Sequence, residues 1–318
     1  MNLTNFLLYE LYKLLTLQTF NFKSYFCQKL KTMGKLIFIL LKALSYLPFM
    51  VLYAFADFLF VINYYIIGYR KKVVMDNLNI AFPEKSLKEK KKISRLFFRN
   101  FSDFIVESIK TFSMSHESFK KRYHFLNIKE FNAFAIKENK GAVIFASHQF
   151  NWEWMINVSS HFPENIKAYI SYTPLSNKTL NHLIIKNRER FGLRLASAKD
   201  FVKTIQNSDK EELSISGLIS DQSPKANYKF RTQFFGKDVP AYTGAENIAK
   251  KFDQSYWFLN VTKIKRGYYE VQFDLMEADV SSFQEGELTR RSIARTEDLI
   301  RKQPENYLWT HRRWKHAR

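Results

Sequence analysis

The run Gly141-Ala142-Val143-Ile144-Phe145-Ala146 restricts the possible folds more than any other part of the chain. A short, uninterrupted apolar segment opened by a glycine reads as a strand buried on both faces of a parallel sheet. A helix is expected to follow almost at once. Ser147 and His148 come next, and Glu153 stands five residues beyond the histidine, giving the spacing H-x4-E. If both residues were inside a helix, five positions would set them about 140° apart and they would not meet. If His148 instead lies just before the helix, Glu153 leans back toward the N-terminus and reaches an imidazole nitrogen. A carboxylate there fixes the tautomer and stabilises the imidazolium, which makes His148 a better general base. The competing reading is a histidine that merely caps a strand end. The spacing alone does not separate the two.

Composition narrows the partners. Lys and Arg number 50 against 30 Asp and Glu, a formal charge of +20, and 46% of the residues are apolar. Such a chain has enough apolar residues for a proper core, and its surface favours anionic partners: nucleic acid, anionic lipid or an acidic carrier protein. The 31 Phe, 17 Tyr and 5 Trp can stack on bases. Beside a long apolar N-terminal segment they fit lipid contact better. Cys27 is the only cysteine, which excludes an intramolecular disulfide and a cysteine-based metal site.

That apolar segment runs from Leu36 to Ile67, interrupted by Lys42, Asp57 and a few small or neutral polar residues, with Pro48 near its middle. It exceeds the roughly 20 residues needed to cross a bilayer. One tilted spanning helix and a pair broken at Pro48 that lies partly in the interface are both compatible with it. A buried hairpin of a soluble protein is the competing assignment. Arg70, Lys71 and Lys72 follow directly, and basic residues on that flank mark the cytoplasmic side. The expected organisation is an extension of doubtful role over residues 1–32, a membrane anchor over 33–68 and a single domain over 69–318.

Within that domain, Ser86-Leu87-Lys88-Glu89 reads as a capping box that opens a helix running toward Glu107. Ala168 to Tyr172 is a short strand, followed by a turn at Thr173-Pro174 and a helix that carries Arg188 and Arg190 near its end. That arginine pair either offsets a helix dipole or meets phosphate. Leu213 to Ser220 is another apolar strand, and Asp221 stands at its carboxyl end, on the sheet edge expected for His148. Thr243-Gly244-Ala245-Glu246 reads as a second capping box, and residues 256 to 275 as a hairpin around Arg266-Gly267. The ending packs Tyr307, Trp309, His311, Arg312, Arg313, Trp314 and Lys315 together. It is either a basic surface tail or a headgroup contact.

Taken together, these motifs resemble the late acyltransferases of lipid A biosynthesis, the lauroyl and myristoyl transferases of the wider lysophospholipid acyltransferase superfamily. The matching pieces are NLNIAFPEKSLKEKKKI at 77–93, Glu107, SHQFNWEW at 147–154, YTPLSN at 172–177, DQSP at 221–224, FFG at 234–236 and QPENYLWTHRRWK at 303–315. Two positions depart from the family's usual pattern: many relatives have aspartate where this chain has Glu153, and arginine-proline where it has Thr173-Pro174.

The resemblance implies an α/β fold with a mostly parallel central sheet flanked by helices, glycerolipid acyltransferase-like, behind an N-terminal membrane-anchoring helical segment. It implies transfer of a fatty acyl chain from an acyl carrier protein thioester to a hydroxyl of a lipid A precursor, at the cytoplasmic face of a bacterial inner membrane. His148 is then the general base and Glu153 its orienting acid. Arg190, Arg188, Asp221 and Asn151 are the substrate-binding candidates. No acyl-enzyme, metal, cofactor or nucleic-acid partner is implied. Acylation of a lysophospholipid or an amino-acid lipid is the nearest alternative chemistry. A non-catalytic basic membrane protein that binds lipid or nucleic acid is the alternative from another class.

Overall fold

The structure, a computed structural model, describes residues 27–318 apart from 209 and 210, with side chains from residue 36 onward. Nine strands are described: β1 (Tyr123–Phe125), β2 (Ala142–Ala146), β3 (Ile166–Tyr172), β4 (Arg194–Ser197), β5 (Leu213–Ile219), β6 (Arg231–Phe234), β7 (Lys237–Pro240), β8 (Ser255–Lys265) and β9 (Tyr268–Glu277). Seven of them form one sheet in the order β1-β9-β8-β2-β5-β3-β4, and β6 and β7 pair separately. Every neighbour in the large sheet is parallel except β8 and β9. That exception is the expected hairpin. At its tip Gly267 has φ +73, and a Cβ there would run into the Tyr53 hydroxyl.

The apolar run is the central strand β2, and all five of its residues are buried. Period-two alternation divides them between the two faces. Val143 and Phe145 join one core, and Ala142, Ile144 and Ala146 join the other.

Helices cover both faces. The described ones are α1 (Cys27–Ser45), α2 (Phe49–Val61), α3 (Lys71–Ala81), α4 (Leu87–Lys110), α5 (His116–Arg122), α6 (Ile128–Lys137), α7 (Lys178–Glu189), α8 (Phe201–Gln206), α9 (Gly244–Lys251) and α10 (Glu287–Lys302). Helix α4 opens on the expected capping box: Ser86 Oγ accepts from Glu89 N, and Glu89 accepts from Ser86 N at 2.8 Å. Its first turns are a solvated lysine-rich stretch, whereas from Phe101 to Ile109 every residue is buried. This buried half carries Asp103 and Glu107 into the interior.

The apolar N-terminal segment is broken at Pro48, which separates α1 from α2. Lys110, at the end of α4, donates to the carbonyls of Ser45 and Leu47 at the break. Helix α2 continues through a π-helical turn, Ile62–Ile67, and ends at Gly68 in the left-handed region. Phe49–Ile67 is long and apolar enough to cross a membrane by length and composition, and only 28% of its most apolar window is buried. Most of the extension expected over residues 1–32 lies outside the described residues.

One expected cap fails, and one of the two readings of the C-terminal run is excluded. Thr243 makes no side-chain cap for α9. Glu246 instead turns its buried carboxylate toward the start of α10, accepting from Gly286 N, Thr289 N and Thr289 Oγ1 at 2.7, 3.0 and 2.8 Å. Those N–H groups are unpaired within their own helix, and burial makes leaving them unsatisfied costly, so they outcompete the local cap. The C-terminal run is also no surface tail, since Tyr307, Leu308, Trp309, Thr310, Arg313 and Trp314 are all buried.

Candidate active site

Sheet register brings two titratable side chains together. Strands β2 and β5 are parallel neighbours, with Ala146 opposite Ile219. His148 lies two residues beyond the first and Asp221 two residues beyond the second, so both emerge from the carboxyl edge at the same level. Ser220 N donates to Ala146 O at 3.1 Å and ties the exits together. The result is a hydrogen bond of 2.6 Å between His148 Nδ1 and Asp221 Oδ1. Asp221 is 1% exposed and His148 12% exposed, so the imidazole forms the accessible side of the pair.

The roles of the ring nitrogens follow from this pairing. Burial pushes the Asp221 carboxyl up, but the adjacent imidazole and the Tyr307 phenol outweigh it and hold the acid below the usual carboxylate range. An ionised Asp221 can only accept, so Nδ1 carries the hydrogen, and in the neutral tautomer this leaves the lone pair on Nε2. The Gln222 side-chain nitrogen sits 3.3 Å from Nε2, where a substrate hydroxyl would present its proton. Trp152 sets its ring edge-on to the imidazole at 5.0 Å. His311 is the second histidine of the cluster. Burial first, and then the nearby His148, push it down to about 3, so it is neutral and accepts from Ser223 N at 3.1 Å.

Glu153 does not orient His148 in this structure. Arg188 Nε and Nη2 bind its two carboxylate oxygens at 2.8 and 2.7 Å, and the pair is nine-tenths buried. The helix after His148, Trp152–His161, is 3₁₀ rather than α. Successive residues in such a helix turn by about 120°. With Trp152 facing the imidazole, the next residue is carried away from it. The carboxylate on His148 in this structure is Asp221 and not the Glu153 expected from the H-x4-E spacing.

The other candidates separate in the same way. Asn151, expected to bind substrate, is fully buried and caps this helix: its Oδ1 accepts from Glu153 N at 3.0 Å, and its Nδ2 donates to Glu107 at 2.8 Å. Glu107 is wholly buried and also accepts from the hydroxyls of Tyr53 at 2.9 Å and Tyr269 at 2.7 Å. Burial raises the Glu107 carboxyl despite these donors. Arg188 spends its charge on Glu153. Arg190 is exposed and, among the described residues, donates to the neutral carbonyls of Phe112 and Met114.

The loop from His148 to Asn151 is held from two sides. Phe150 stacks on Phe104 and Phe97 of α4, with ring centroids 5.0 and 5.9 Å away. Along its other edge the C-terminal segment pairs with it as a short antiparallel strand. Gln149 bridges to Tyr307, Phe150 N donates to Asn306 O at 3.0 Å, and Leu308 N donates to His148 O at 3.1 Å. This segment also supplies Tyr307 beside Asp221. Sequence reasoning missed Gln222, Tyr307 and His311 as neighbours of the His148–Asp221 pair, although the first follows Asp221 directly.

A histidine with 12% of its side chain exposed, backed by a buried carboxylate at the carboxyl edge of a parallel sheet, suits proton removal from a hydroxyl. No curated protein matches the chain. The family model of bacterial lipid A biosynthesis acyltransferases matches residues 22–316, beginning ten residues before the end of the extension expected over 1–32. With nearly its whole length covered, this acyltransferase chain belongs to the bacterial lipid A biosynthesis acyltransferase family.

Proposed function

We propose that this acyltransferase is membrane-bound and moves a fatty acyl chain from an acyl carrier protein thioester to a hydroxyl of a lipid A precursor. The observation that carries the reading is the His148–Asp221 pair, in which the carboxylate holds Nδ1 and the imidazole is the less buried partner. A hydroxyl is a poor nucleophile near neutral pH, and a positioned base contributes roughly 10²- to 10⁴-fold. His148 Nε2 takes the hydroxyl proton as the oxygen attacks the thioester carbonyl. The carbon–sulfur bond then breaks, and the imidazolium returns the proton to the departing thiolate. Asp221 stabilises the imidazolium between those two transfers. Glu153, held by Arg188, fixes α7 against the helix that follows His148.

Arg190 is the arginine assigned to acceptor phosphate, because it is exposed and no carboxylate neutralises it among the described residues. Membrane attachment is supported by the outer face of α2 and its π-helical extension, where Val51, Phe55, Phe58, Tyr65 and Ile66 are exposed. The formal charge of +20 draws both an acidic carrier protein and a phosphorylated lipid.

The test is an assay of thiol release from an acyl carrier protein thioester, with and without a lipid A precursor, in wild type and His148→Ala. Release that needs the acceptor, and is lost in the variant, is the expected result. Acceptor-dependent release that survives in His148→Ala refutes the assignment of the base.

A further inference from the structure

Between α2 and the first half of α4 lies a groove of about 420 Å³ lined by Asp57, Phe60, Val61, Lys92, Arg95, Leu96 and Arg99. Its cations form a stripe. Lys92, Arg95 and Arg99 are spaced i, i+3, i+7, which keeps them within about 60° of one another around the helix. All three are exposed.

The single carboxylate in the groove, Asp57, is shared between Arg266 and Arg99 and leaves Lys92 and Arg95 without an ion pair among the described residues. Both oxygens of Asp57 accept from Arg266 at 2.9 Å, and Arg99 approaches only to 3.6 Å. The floor is apolar: Phe60 is buried, and Val61 and Leu96 are partly open at 47% and 37% exposure. On the α2 side this floor continues into Phe58 and Tyr65, exposed at 58% and 59% on the same helical face as Val61.

We infer that this groove binds one anionic phospholipid. Its phosphate headgroup lies against Lys92, Arg95 and Arg99, and its acyl chains follow Val61 and Phe58 toward the bilayer. A free anion would leave the apolar floor uncovered, and a zwitterionic lipid would bring its own cation against Lys92 and Arg95. An anionic amphiphile satisfies both halves of the groove. The site is separate from His148 and Asp221, and it rests on the membrane attachment proposed above.

The experiment uses the full chain in neutral detergent and native mass spectrometry, with dioleoylphosphatidylglycerol or dioleoylphosphatidylcholine added. Each cation near a headgroup contributes about fivefold in affinity. Wild type should therefore retain phosphatidylglycerol over phosphatidylcholine. The double substitution Lys92→Gln/Arg95→Gln should weaken phosphatidylglycerol about 25-fold and leave phosphatidylcholine unchanged. The same charge loss around the start of α8, Lys199→Gln in the turn before it and Lys203→Gln within it, should change neither.

Equal retention of both lipids by wild type overturns the inference. So does an equal effect of the Lys199 and Lys203 pair, or full displacement of phosphatidylglycerol by the same concentration of inorganic phosphate. Sedimentation with membranes is scored separately. A chain that stays membrane-bound but ranks the two lipids equally refutes the groove alone, whereas a chain that leaves the membrane refutes the attachment and the groove with it.

Discussion

Asp221→Asn isolates the contribution of the carboxylate to the base. The side chain is nearly isosteric and 1% exposed, so the loop keeps its packing while the charge is lost. Two losses follow. The first is electrostatic: the proton transferred in the reaction creates a cation with its charge centre roughly 4 Å from the carboxylate, and at an effective dielectric near 20 that pair is worth about 4 kcal/mol. At about 1.4 kcal/mol per decade, the rate should fall about 10³-fold. The second loss is tautomeric. If the amide nitrogen of asparagine faces Nδ1, it donates there and moves the ring hydrogen to Nε2, which removes the lone pair. Both losses act through one imidazole, so His148→Ala/Asp221→Asn should be no slower than His148→Ala alone. The assay is kcat for acyl transfer at saturating thioester and acceptor, with folding checked by thermal denaturation. Near wild-type turnover in Asp221→Asn, together with a fall in Glu153→Gln to the level of His148→Ala, would refute the pairing and return the role to Glu153.

Other outcomes follow from the neighbours of the pair. Arg188→Gln leaves Glu153 as a buried charge without its partner and should cost about 3–5 kcal/mol in denaturant unfolding, whereas Glu153→Leu/Arg188→Met should recover most of that stability. If the double variant regains stability yet transfers no acyl chain, Glu153 has a chemical role. Arg190→Gln should raise the KM for a phosphorylated acceptor and leave a dephosphorylated one unchanged, and an equal effect on both would remove Arg190 from phosphate recognition. Glu107 titrates above its unfolded value near 4.3, so between those two values the folded state binds more protons and wild type loses stability as pH rises. Glu107→Gln can keep the contacts to Tyr53, Asn151 and Tyr269 without that titration. Its stability relative to wild type should therefore grow with pH across the window, and a constant difference would place the titration elsewhere. A chain that starts at Met33 should stay in the membrane fraction, and one that starts at Tyr69 should leave it.

The architecture was legible because its signals are local and redundant. The strand Ala142–Ala146 is apolar at every position, which only a strand covered on both faces requires, and it is the central strand β2 with all five residues buried. The hairpin over β8 and β9 was marked by alternation and by Arg266-Gly267, and the start of α4 by a reciprocal pair three residues apart. The second capping box had the same signature and failed. A carboxylate at the third helical position can cap its own helix or reach another one, and nothing nearby in sequence shows that the N-terminus of α10 lies within reach of Glu246.

The site was legible by edge and not by pairing, and the reason is geometric. Placing His148 and Asp221 beyond the carboxyl ends of their strands required only that both strands be parallel. Making them partners required knowing that the two strands are adjacent and in register, Ala146 against Ile219, and that is a non-local fact. Glu153 was attractive because it is close in sequence, but closeness along a helix is governed by the turn per residue. The 3₁₀ geometry after Asn151 gives Trp152 to the imidazole and Glu153 to Arg188. The C-terminal run shows the same limit. Its aromatic and cationic residues suggest a surface that meets headgroups, yet Tyr307 and Leu308 pair with the loop that carries His148. A segment more than 150 residues away thus sets the position of His148, and truncating it should remove activity even with His148 and Asp221 intact.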